Sequence, residues 1–172
     1  MGDLSVVVTG ASGRTGLLIV EELVSRVGVA GSGIGYVRCT VRSAASSRRV
    51  KERIAGADIA ILDVGKDDAE NQARVAFEGM NTLIVVTSAV PQIAFSSLPG
   101  VIASKCLCQK RRFPDFWFPL GASPKIVDYE GQKAQFRAAK AAGVQHIILV
   151  SSMAGTDPGH FLNVAMEGIV LW

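Results

Sequence analysis

The stretch Ser5–Leu23, SVVVTGASGRTGLLIVEEL, constrains the fold more than any other part of the chain. A β-branched apolar run ends in glycine, and an amphipathic pattern of helical period follows within a few residues. It reads as a buried strand turning directly into a helix. Between them lie Gly10, Gly13 and Gly16, spaced G-x-x-G-x-x-G. Gly10 permits the sharp turn off the strand. Gly13 lets a pyrophosphate approach the backbone with no Cβ in the way, and Gly16 lets the helix pack close to the strand. The helix start then presents unpaired N–H groups and a positive dipole end to the phosphates, with Ser12 and Thr15 as hydroxyl donors and Arg14 as a cation. The strand-before, helix-after setting favours this cradle over a turn that binds nothing. A second cluster, AGSGIG at Ala30–Gly35, precedes a strand instead and reads as a linker.

The rest of the chain repeats the rhythm. GYVRCTVRS, ADIAILDV, NTLIVVTSAV and VQHIILVSS read as four further strands. The helices between them are SSRRVKERI, anchored by Val50 and Ile54; DDAENQARVAF, with Asp67 and Glu70 at capping-box spacing; and DYEGQKAQFRAAKAAG, closed by Gly143. In the first helix Leu17, Leu18, Val20, Leu23, Val24 and Val27 fall largely on one helical face. Strands alternating with helices imply right-handed β-α-β units. The expected fold is therefore α/β: a doubly wound, Rossmann-like parallel sheet in a three-layer sandwich, forming one domain over residues 1–172. The segment from Pro91 to Lys125 breaks the pattern. It is rich in proline, carries the Lys110–Arg112 basic cluster and the aromatic run FPDFWF, and reads as an irregular loop folded over the sheet edge or over a ligand.

Composition removes several functional classes. Hydrophobic residues make up 49% of the chain and charged residues 19%, as in a chain that builds a core. A net charge of +3 with interleaved signs gives no nucleic-acid footprint. No apolar run approaches the ~18–20 residues of a membrane span. The first strand begins almost at once, with no signal peptide before it, so a soluble cytoplasmic protein is expected; a plastid location stays open if a targeting segment is missing from this chain. Cys39, Cys106 and Cys108 provide neither a disulfide framework nor zinc-ligand spacing, and no metal is expected.

The ends of the later strands choose the cofactor. An NAD site places an acid at the end of the second strand to hold the ribose hydroxyls, but here Arg42 and Ser43 follow, with no acid until Glu52. A guanidinium suits a 2′-phosphate, so NADP is expected ahead of NAD. Asp63 and Val64 would lie beside the adenine, and Thr87, Ser88 and Ala89 along the ribose and nicotinamide, because ligands sit at the carboxyl ends of parallel strands. Asp63 equally suits a cap on the turn that follows it.

Taken together, VTGASGRTG, the VRS of Val41–Ser43, the DV of Asp63–Val64, TSAVP at Thr87–Pro91, VDYEGQKAQ at Val127–Gln135, AAKAAGVQHIILVSSMAGT at Ala138–Thr156 and the closing GIVLW resemble the atypical short-chain dehydrogenase/reductases, most of all the NmrA-like NAD(P)-binding proteins of plants and algae. The resemblance implies NADP binding and an oxidoreductase-like role on an unspecified small-molecule substrate. It also implies further chain beyond Trp172, including two more strands, so an incomplete substrate half is expected. Short-chain dehydrogenases pair a serine with a Y-x-x-x-K tyrosine and lysine. Tyr129 and Lys133 have that spacing, but they precede the fifth strand where the family pattern follows it, and are read as a chance match. The family's serine position falls on Ser151 and Ser152, with Ser152 as catalytic candidate and Ser151 as a cofactor contact. His146 and His160 are read as structural. With no tyrosine after those serines, a non-catalytic NADPH-sensing protein stands as the alternative to a reductase.

Overall fold

The computed structural model describes residues 3–93 and 116–151. Ser152, His160, Cys106, Cys108 and the Lys110–Arg112 cluster lie outside them. Five strands, β1 (Leu4–Thr9), β2 (Ile34–Val41), β3 (Asp58–Ile61), β4 (Thr82–Val85) and β7 (His146–Leu149), form a sheet in the order β3-β2-β1-β4-β7. Every pairing in it is parallel, with Val7 beside Arg38 on one side and Leu83 on the other. The order reverses direction between β1 and β4. The connection from β1 leads by α1 (Arg14–Arg26) to one side, and β4 continues to the other; such a switch point opens a crevice at the carboxyl ends of the strands.

Strand alternation supplies a core on each face. Val6, Val8 and Ile84 turn one way and pack with Val20 of α1, Val50 of α2 (Ala44–Arg53) and Ile54. Val7, Leu83 and Val85 turn the other way, toward Ala73, Ala76 and Phe77 of α3 (Ala69–Phe77) and Ala138 and Ala139 of α4 (Gly131–Ala141). This is the doubly wound α/β sandwich that the alternating pattern implies. None of the helices among the described residues is long and apolar enough to cross a membrane.

Three local expectations need correction. The Asp67/Glu70 capping box does not form: α3 starts at Ala69 with Asp68 at its N-cap position and no side-chain cap. The Asp68 carboxylate instead accepts from Gln72 Nε2 at 2.8 Å, one helical turn on. In α1, Leu18 is 60% exposed, because Leu17, Val20 and Val24 already fill the stripe facing the sheet. Within Pro91–Lys125 there is regular structure after all. Gln92–Ile93 (β5) and Phe116–Trp117 (β6) pair as an antiparallel ribbon, and a π-helical turn, Lys125–Glu130, leads into α4. Two-residue strands and a single wide turn carry no periodicity for a sequence pattern to register.

A polar staple ties the amino-terminal rim of the sheet together. Arg38 of β2 donates from Nε to Asp58 of β3 at 2.6 Å, while its Nη1 donates to the Ala76 and Glu78 carbonyls at 3.1 and 3.2 Å. The Tyr36 hydroxyl donates to the same Asp58 oxygen. One guanidinium thus holds two strands and satisfies carbonyls at the open carboxyl end of α3.

Candidate functional site

A cavity of about 470 Å³ opens at the carboxyl ends of β1–β4, the position that the switch point predicts. The turn after β1 forms its floor. Gly10 has φ +73°, which an L side chain adopts only with strain, and a Cβ there would stand 2.9 Å from the Val86 carbonyl carbon. The turn closes through the Gly13 N–H, which donates to the Gly10 carbonyl at 3.0 Å. A Cβ on Gly16 would collide with that same carbonyl oxygen and stand 3.0 Å from Ala11 Cα, so α1 can seat on β1 only with glycine at this position. At Gly13 a Cβ would meet only the Gly10 oxygen, at 3.3 Å, and the residue is otherwise exposed to the cavity.

No side chain caps α1, and its first turn holds no acid. Its leading N–H groups and positive dipole end therefore face the cavity uncompensated, with Ser12, Arg14 and Thr15 in the same wall. A pyrophosphate fits these residues: backbone donors at its approach, a cation beside them, and no Cβ at Gly13.

Of the residues that the sequence nominates for the cofactor, Gly10, Ser12, Gly13, Arg14, Thr15, Gly16, Arg42, Asp63, Val64, Thr87, Ser88 and Ala89 all line this one cavity. Asp63 also caps its own turn, its Oδ1 accepting the Gly65 N–H at 3.2 Å. Ser151 stands exposed after β7 and is not among the lining residues; Ser152 falls outside the described residues. Tyr129 and Lys133 lie away from the cavity wall. The Lys133 ammonium stands 4.6 Å from the Tyr129 ring centroid and 3.4 Å from the Glu130 carboxylate, a surface cation–π and ion-pair contact.

Several lining residues were not foreseen. Ser46 and Arg49 join Arg42 in one basic corner. Ser43 caps α2, accepting the Ser46 N–H at 3.3 Å, and Arg49 Nη2 donates to the nearly buried Ser46 hydroxyl at 3.2 Å. Ser46 and Arg49, three apart on α2, share one helical face, and Arg42 precedes the helix cap at the end of β2. Val90, Gln92, Pro119, Gly121, Ala122 and Val127 close the far end. Gln92, Pro119, Gly121 and Ala122 come from the segment that lacks a periodic signal, and Val90 and Val127 flank it.

Comparison with known proteins agrees with this geometry. The chain is 38% identical over 170 residues to an uncharacterised chloroplastic protein of Arabidopsis thaliana, covering 98% of this chain and 46% of that one. It is 35% identical over 178 residues to sanguinarine reductase of Eschscholzia californica, covering 98% of this chain and 61% of the relative. The chain thus spans about half the length of the curated relatives it matches. An Escherichia coli NADPH-dependent quinone oxidoreductase, solved with NADPH, shares the fold at a TM-score of 0.53 and 19% identity, over 88% of this chain and 38% of that one. A family model described as NAD(P)H-binding matches residues 10–170, which takes in every residue of the cavity wall. The nucleotide that this cradle is shaped for is therefore a nicotinamide dinucleotide, and the chain belongs to the NAD(P)H-binding family.

Proposed function

We propose that the cavity takes NADPH in preference to NADH and that the chain is the nucleotide-binding part of a reductase. The observation that carries the cofactor preference is the basic corner after β2. Arg42 and Arg49 line the same cavity as the glycine turn, and no acid from β2 or α2 joins them. A ribose diol calls for a carboxylate at this place, whereas a 2′-phosphate calls for guanidinium groups. Arg49 is also turned toward the start of its own helix by its bond to Ser46, where the helix N–H groups add to the positive field.

The adenosine half then lies between Arg42 and Asp63, the pyrophosphate over Gly13 and α1, and the nicotinamide half along Thr87–Ala89. A bound reduced nicotinamide supplies a hydride. The chain's own groups orient the dinucleotide and shield one side of it, with the apolar residues Val90, Pro119 and Val127 facing the end where an acceptor would enter. Sanguinarine reductase among the relatives supports reduction of a small organic acceptor as the activity of the whole protein.

Titration with NADPH and NADH tests the assignment. Losing one charge-assisted contact costs about 1.5–3 kcal/mol, so Arg42→Ala is expected to weaken NADPH by roughly tenfold or more and to leave NADH nearly unchanged. Equal wild-type affinities for the two nucleotides would overturn it.

A further inference from the structure

The two ends of the cavity are held in different ways. The floor is fixed by the glycine turn, whose close contacts are backbone against backbone. The loop after β4, which carries Thr87, Ser88, Ala89 and Val90, has left its strand ladder: Val86 N–H donates to the Thr9 carbonyl at 3.2 Å, and the strand pairing stops there. The Ser88 hydroxyl makes a long bond, 3.4 Å, to its neighbour's carbonyl. What anchors this loop comes from far along the chain.

Two polar side chains of the helical segment 125–141 reach it. Gln135 is fully buried and donates from Nε2 both to Thr87 Oγ1 and to the Gly131 carbonyl, each at 3.1 Å. Asp128, half-buried in the π-helical turn, accepts the Ala89 N–H on Oδ1 at 2.9 Å, and the Ser88 hydroxyl interacts with the same carboxylate. Burial pushes the Asp128 carboxyl above its ordinary range, and the Ala89 and Ser88 bonds pull it back; the ionised form is the one these donors recognise. The turn itself is pressed into place at its junction with α4. A Cβ on Gly131 would stand 2.9 Å from Val64 Cβ and 3.1 Å from the Val64 carbonyl oxygen. The segment therefore bears at once on the loop after β3, through Gly131, and on the loop after β4, through Asp128. A π turn is rare in proteins and concentrates where a side chain must be aimed.

We propose that Asp128 is the positioning residue of the nicotinamide half of the cavity: its carboxylate fixes the Ser88–Ala89 wall along which that half of the dinucleotide lies. The inference rests on the nicotinamide-dinucleotide reading above and on the placement of the nicotinamide beside β4. It gives Asp128 no contact with the adenosine half, which is bound some distance away by groups from β2 and α2.

Binding alone tests it, with two ligands that differ by the nicotinamide half: NADPH and adenosine 2′,5′-bisphosphate. Asp128→Ala removes the acceptor for Ala89 and is expected to weaken NADPH about tenfold, the effect of one charge-assisted bond. Asp128→Asn keeps an acceptor but loses the charge, and is expected to weaken NADPH about threefold. In both variants adenosine 2′,5′-bisphosphate is expected to bind within about twofold of wild type. A merely structural role would weaken both ligands together, and that result would overturn the inference, as would unchanged NADPH affinity. If the alanine variant does not fold, the asparagine variant carries the test through the same ratio of affinities. A wild-type protein that binds neither ligand would instead overturn the reading of the cavity itself.

Discussion

Gly13 and Gly16 lie three residues apart in the same turn, yet alanine should harm them in different ways. At Gly16 the new methyl group would run into the Gly10 carbonyl oxygen and stand 2.9 Å from its carbon and 3.0 Å from Ala11 Cα. All three are backbone atoms at the end of the central strand, so none can turn aside as a side chain would. Overpacking of this kind costs about 1–3 kcal/mol. Alanine also returns up to about 1 kcal/mol of helix propensity in the first turn of α1. A net loss of about 1–2 kcal/mol remains, which in a domain of this size lowers Tm by about 2–8 °C. At Gly13 the backbone is extended, with φ −75° and ψ 162°, which alanine adopts freely, and the single close contact is 3.3 Å. Gly13→Ala should therefore melt within about 2 °C of wild type. Its methyl group would occupy the approach of the pyrophosphate, so NADPH binding should fall at least tenfold. Thermal melts and NADPH titrations of both variants form the assay. Equal melting temperatures for the two would refute the steric reasoning at Gly16. Wild-type NADPH affinity in Gly13→Ala would refute the cradle.

Two further outcomes follow from buried or paired groups. Burial alone would raise the Asp58 carboxyl, but the Tyr36 hydroxyl and the Arg38 guanidinium outweigh it and hold the group below its ordinary 3.8. A carboxylate with a lowered folded-state pKa contributes stability that is present above its unfolded pKa and lost as pH falls through the folded one. Urea unfolding should show wild type losing stability below about pH 4 more steeply than Asp58→Asn; parallel acid limbs would count against the staple. Cys39 is 1% exposed, and burial, with the Asp58 charge adding to it, pushes its thiol up to about 11. In a Cys106→Ser, Cys108→Ser background, a thiol titrant at about pH 8 should leave Cys39 unmodified until denaturant opens the core. Prompt reaction in the native protein would show that β2 is not packed as described.

The layered sheet and most of the cradle were legible because each depends on a local pattern. The β-branched runs, the helical periods and the three glycines state their roles within a few residues, and the parallel β-α-β rule does the rest. Other features depend on contacts distant in sequence. Leu18 belongs by periodicity to the buried face of α1 and is exposed because its neighbours fill the available groove. Asp67 and Glu70 had the spacing of a capping box, yet Asp68 bonds forward to Gln72 instead. Asp128 meets Ala89 across 39 residues, and Gln135 meets Thr87 across 48. In the sequence both read as ordinary polar positions of a helix. Tyr129 and Lys133 show the reverse: a suggestive spacing that the fold uses for a surface contact.

The two edge strands of the sheet, β3 and β7, are secured differently from the central one. Among the described residues β7 pairs with β4 alone, and Ile147, Ile148 and Leu149 are 46%, 51% and 45% exposed. β1, by contrast, is paired on both sides, and Val7 and Val8 are fully buried. Such a sheet does not open as one unit. Amides of β1 exchange with solvent only when the whole domain unfolds, whereas those of β7 can exchange through fraying of the rim at a fraction of that free energy. The glycine turn follows the central strand, and Ser151 follows an edge strand. The nucleotide cradle is therefore built on the part of the sheet that opens last, and fraying at β7 leaves the cavity wall in place.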